Sequence, residues 1–117
     1  MDAYVYGVIG AGAAWRPPDE GVDGQPVELV KRGELAALVS DAPRVPVRAN
    51  RRNLMAHSRV LQSVIGERCV LPMRFGVVMP DRDAVEEELK ALSNLSPDEL
   101  RKQRAERFYA IGRAGLA

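Results

Sequence analysis

Leu71-Pro72-Met73-Arg74-Phe75-Gly76-Val77-Val78-Met79-Pro80-Asp81 is the stretch on which the fold turns. Its odd positions, Leu71, Met73, Phe75, Val77 and Met79, are all apolar. A period of two gives a β-strand one wholly apolar face. Pro80 closes the strand, and Asp81 is placed to cap a following helix. The other face carries one large charge, Arg74, beside Gly76, so the strand is expected to pack helices on one side and keep a mixed face on the other.

Upstream, Tyr4-Val5-Tyr6-Gly7-Val8-Ile9 is aromatic and β-branched and reads as the first strand. Residues 10–26 hold Gly10, Gly12, Pro17, Pro18, Gly21, Gly24 and Pro26, which leaves a loop. Residues 27–30 and 35–40 form a hairpin turning at Gly33. Residues 51–66 take helical spacing behind the candidate cap Asn50. Leu54, His57, Leu61, Val64 and Ile65 are expected on one face, and Gly66 ends the helix. After the opening stretch, Val85, Leu89 and Leu92 mark a second helix over about residues 82–92. Ser96, Pro97 and Glu99 are the start signal of a third, whose apolar positions are Leu100, Phe108 and Ile111.

The 117 residues suit one domain, with 46% hydrophobic and 28% charged residues and a net charge of +1. That balance supplies no overall field for nucleic acid or anionic lipid. The single cysteine, Cys69, excludes an internal disulfide and fits a reducing cytoplasm. No apolar run approaches the roughly 20 residues of a membrane span, and no export signal is expected.

Several residues invite chemistry and are better read as structure. Gly10-Ala11-Gly12 follows a strand, yet Trp15 and Pro17-Pro18 deny it the helix that a dinucleotide site needs. His57, the only histidine, falls between Leu54 and Leu61 on an apolar stripe and is expected to pack, hydrogen-bonded. Cys69, beside Arg68, reads as a small buried hydrophobe. Asp81, Asp83, Glu86, Glu87 and Glu88 fan around a helix start, where negative charge suits the dipole, rather than converging on a metal. Arg48, Arg51, Arg52 and Arg59 sit against the first helix's dipole, which admits an outside contact. Without interleaved aromatics they read as a solvated face. No catalytic, metal or cofactor residues emerge, and an enzyme is not expected.

With these residues in place, the chain resembles the gas vesicle protein GvpL/GvpF family. Tyr4-Val5-Tyr6-Gly7 is similar to its opening strand, and Gly33-Glu34-Leu35-Ala36-Ala37-Leu38-Val39-Ser40 to its hairpin and third strand. Asn53, His57, Val60 and Leu61 resemble its first helix. The most specific block is Leu71-Pro72-Met73-Arg74-Phe75-Gly76 with Pro80-Asp81. The resemblance covers about residues 3–92. It implies an α+β, ferredoxin-like antiparallel sheet with helices packed on one face over residues 1–92. Residues 93–117 are then a C-terminal helical tail, and the second domain usual in the family is missing.

The resemblance further implies a non-enzymatic accessory protein, in the cytoplasm or on the gas vesicle. Its partners would be the small hydrophobic shell subunit and other vesicle accessory proteins, with homo-oligomers admitted and no cofactor. An open sheet face, strand edges and a thinly packed tail would serve that binding. Tyr4, Tyr6, Arg74 and Phe108 are the candidate contacts. The reading from a different class is a self-associating, ferredoxin-like domain that binds a small ligand or regulates.

Overall fold

Aromatic and β-branched residues build a central strand, β1 (Ala3–Gly10), to which most of the sheet is hydrogen-bonded. The computed structural model describes residues 1–10, 20–43, 45–64 and 69–93, with 69 and 70 by backbone alone. Strands β2 (Glu28–Arg32) and β3 (Leu35–Asp41) form the expected hairpin, and Gly33 turns it with φ of 61°. Helix α1 (Arg51–Gln62), strands β4 (Cys69–Pro72) and β5 (Val78–Met79), and helix α2 (Arg82–Leu92) follow. The sheet order is β2-β3-β1-β4, with β5 also on β1, and every pairing is antiparallel. The architecture is α+β, as expected. The tail helix, Phe108, Ile65, Gly66 and Trp15 lie outside the described residues.

Both helices start where the sequence signals them. The Asn50 side chain accepts from the Asn53 amide at 2.8 Å, and Asp81 accepts from the Ala84 amide at 2.8 Å. Asp81 also sets a negative charge at the N-terminus of α2, so Asp81→Ala is expected to lower stability by about 1 kcal/mol. A shift in the urea midpoint at unchanged m-value measures it.

The layering differs from the expected single helical face. Tyr6 is an extra residue in β1 where the register against β3 shifts between Val5 and Gly7. The bulge puts Ala3, Val5 and Val8 on one face, under Val85, Leu89 and Leu92 of α2. Tyr4, Tyr6 and Ile9 take the opposite face, with Ala56 and Val60 of α1 and with Val22 and Val27. A sheet apolar on both faces needs a cover on each. The helices therefore lie on opposite sides, and the mixed, open face expected for the fourth strand is filled by α1.

Candidate functional site

The opening stretch is not one strand. Met73 N–H donates to the Tyr6 carbonyl at 3.0 Å, and Val5 N–H donates to the Val77 carbonyl at 2.9 Å. Tyr6 and Val5 are adjacent, so Arg74, Phe75 and Gly76 are extra and loop out between β4 and β5. Gly76 has φ of 97°, a left-handed conformation that glycine adopts freely. Leu71, Met73, Val77 and Met79 still face α2, but Phe75 crosses to the other face and packs near Tyr4 and His57, with ring centroids 5.8 Å from each. Arg74 is left exposed at the loop's crest.

Two buried side chains hold that loop by its backbone. His57 Nε2 lies 2.9 Å from the Met73 carbonyl, and its Nδ1 lies 2.8 Å from the Tyr4 hydroxyl. A carbonyl only accepts, so Nε2 carries the hydrogen and Nδ1 accepts from Tyr4. The Tyr4 oxygen in turn accepts from the Gly76 amide at 3.1 Å. One histidine–tyrosine pair thus grips both ends of the loop. The Tyr6 ring stacks beside His57 at 5.6 Å, while its hydroxyl accepts from Val22 N–H and pairs with Ser40 Oγ, both at 2.8 Å. Among the described residues no buried side-chain polar atom lacks a partner.

Asn53, one turn before His57, performs the same service for the 20s loop. Its Oδ1 accepts from the Asp23 amide at 3.0 Å, and its Nδ2 donates to Asp23 Oδ1 at 3.2 Å and to the Arg48 carbonyl at 3.0 Å. These bonds hold Asp23 in a left-handed backbone, φ 58°. They also explain why α1 turns Asn53, Ala56, His57 and Val60 inward, while Leu54, expected inside, is exposed and Leu61 only half-buried. Ala56 is small enough for close approach. Beside this loop lies a cleft of about 410 Å³ lined by Asp23, Gln25, Pro43, Arg48, Asn50 and Asn53.

Tyr4 and Tyr6, expected as partner contacts, are fully buried and act from the interior instead. Phe108 lies outside the described residues, as does the side chain of Cys69. Arg74 is the one expected contact on the described surface. Sequence reasoning missed Asn53, Ser40 and Asp23 as the polar partners of the core. The available signal was an amide on the apolar stripe of α1, four residues before His57.

Burial is the main cause of three shifts. It pushes the Tyr4 and Tyr6 hydroxyls up, out of any physiological titration, and holds His57 below the usual imidazole range, opposed by the Met73 hydrogen bond. Below the unfolded histidine value, about 6.5, the unfolded chain takes up a proton that the folded chain refuses. The His57 contribution is therefore complete above that pH and lost as pH falls toward the lower folded value. Stability from denaturant unfolding is expected to fall as pH drops below about 6.5, by at most about 1.4 kcal/mol per pH unit. His57→Gln, less stable throughout, is expected to flatten that slope.

Among the described residues no three His, Cys, Asp or Glu side chains group to hold a metal, and no helix is long and apolar enough to cross a membrane. The candidate site is a buried polar clamp beneath a loop with an exposed arginine, on a two-sided α+β sheet. The family model of the gas vesicle synthesis protein GvpL/GvpF matches residues 2–104, and the chain belongs to that family.

Among its relatives, gas vesicle protein F of Streptomyces sp. (strain CB03234) is 48% identical over 88 residues, 73% of this chain and 37% of that protein. The crystal structure of the gas vesicle protein GvpF from Anabaena sp. PCC7120 superposes with a TM-score of 0.68 at 25% identity, covering 90% of this chain and 44% of that one. The chain thus spans less than half the length of these relatives. A separate similarity, 74% identity over 34 residues, is to the acetyl-coenzyme A carboxylase carboxyl transferase subunit alpha of Caulobacter vibrioides (strain NA1000 / CB15N). It takes in 29% of this chain and 11% of that subunit, too little to carry an activity.

Proposed function

We propose that this chain is a non-enzymatic accessory protein of gas vesicle assembly, working in the cytoplasm or on the vesicle by binding the small hydrophobic shell subunit and other vesicle proteins. The observation that carries this reading is the family match over residues 2–104. The buried groups that could have suggested catalysis are already committed to the loop: both nitrogens of His57 and the Tyr4 hydroxyl are bonded within the core. A shell subunit that coats itself with apolar surface needs a partner able to hold it soluble before assembly.

Residues 1–92 form the binding domain, with residues 93–117 as an appended tail. Arg74 on its clamped loop and Phe108 on the tail make contact, and Tyr4 and Tyr6 set the loop's geometry from below. Co-purification of the tagged chain with the shell subunit from the same genome tests the reading. Retention of the subunit, weakened by Arg74→Glu, is the expected result. No retention by this chain or by a longer family member contradicts it.

A further inference from the structure

Helix α1 carries no acidic residue and presents Arg51, Arg52 and Arg59 to solvent, with Arg48 just before it. Arg48, Arg51 and Arg52 lie at the helix N-terminus, where positive charge opposes the dipole and costs stability unless something negative lies against it, while Arg59 in the last turn suits the dipole. Within the described chain little does. Arg52 reaches only Glu20, at 4.0 Å between two exposed groups, and no ion pair engages Arg51 or Arg59 among the described residues. Between those two arginines lies a shallow groove floored by Leu54 and Met55, which are 43% and 51% exposed.

On the far side of the sheet, α2 is the converse. Asp81, Asp83, Glu86 and Glu87 are exposed, with Lys90 the one exposed cation of the helix. Arg82 is turned back onto the protein, bridging Glu28 and Asp41. The two helices cover opposite faces, so one molecule's basic face cannot meet its own acidic face.

We propose that copies of this chain associate head-to-tail, the basic outer face of α1 in one molecule seating on the acidic outer face of α2 in the next. The occupant is a second copy because the chain itself supplies the complementary charge. The net charge of +1 also leaves no long-range repulsion between copies. Two different patches on opposite faces make the contact heterologous, so it propagates into a ring or a row instead of stopping at a two-fold dimer. Since charge dominates and the apolar floor is small, the contact is salt-sensitive.

Sedimentation velocity of the full chain over a concentration series tests this at about 50 mM and about 500 mM salt, which differ several-fold in screening length. The wild type is expected to show sedimentation rising with concentration at low salt and a monomer at high salt. Reversing one face, R51E/R59E or E86K/E87K, is expected to give monomers with unchanged circular dichroism. An equimolar mixture of the two variants, or all four changes in one chain, restores association, because either exchange pairs opposite charges again. A wild type that stays monomeric at low salt overturns the proposal. So does association that survives either single-face reversal, or a mixture and a fourfold variant that both remain monomeric.

Discussion

Gly21→Ala is expected to be strongly destabilising although it adds only a methyl group. A Cβ at Gly21 would fall inside the contact radius of the Tyr6 hydroxyl and 2.8 Å from Val27 Cγ2. Tyr6 has no room to give way, because it is fully buried and its hydroxyl is tied to Val22 and Ser40. Relief requires either lifting the 20s loop from the sheet or breaking those bonds. Overpacking costs about 1–3 kcal/mol and a stranded buried polar group about as much again, so a loss of about 3–5 kcal/mol is expected. For a domain of this size that lowers the melting temperature by more than about 10 °C. Gly10→Ala, where a Cβ meets nothing within 4 Å, is the matched control and is expected to leave melting nearly unchanged.

His57→Ala comes next. It opens a cavity among Tyr4, Tyr6 and Phe75 and leaves the Tyr4 hydroxyl and the Met73 carbonyl without their partners. The expected loss is about 3–4 kcal/mol. The effect is read in thermal melting and in faster hydrogen exchange at the Gly76 amide, whose acceptor, the Tyr4 hydroxyl, is no longer fixed by His57. If His57 were a general base, its removal would spare the fold, so a melting temperature that does not move contradicts the structural role.

What was legible in the sequence was local. The hairpin turned at Gly33, and the caps Asn50 and Asp81 depend on residues within a turn of themselves, so pattern and propensity found them. The strand reading of the opening stretch failed for an instructive reason. Phe75 is in phase by count, but three residues loop out and send it to the opposite face, and counting by twos cannot register an insertion that keeps the parity of Val77 and Met79. The bulge at Tyr6 likewise placed Val5 and Val8 together and hid the two-sided sheet.

The clamp was beyond local reach altogether. Tyr4 and His57 are 53 residues apart, and Tyr4 and Gly76 are 72 apart. Recognition of the family worked because those distant partners all lie within the matched blocks, so the motif was visible as sequence before its physical reason was. In the fold these partners meet at one loop, whose backbone a buried histidine and tyrosine hold and whose arginine is exposed.

The single histidine makes the clamp directly measurable. Long-range nitrogen–proton NMR correlations of the imidazole are expected to show one tautomer near neutral pH, with hydrogen on Nε2 and a bare, accepting Nδ1. Its titration is expected below the ordinary range near 6.5. A mixture of tautomers titrating at the ordinary value would place His57 in solvent and leave the loop without its clamp.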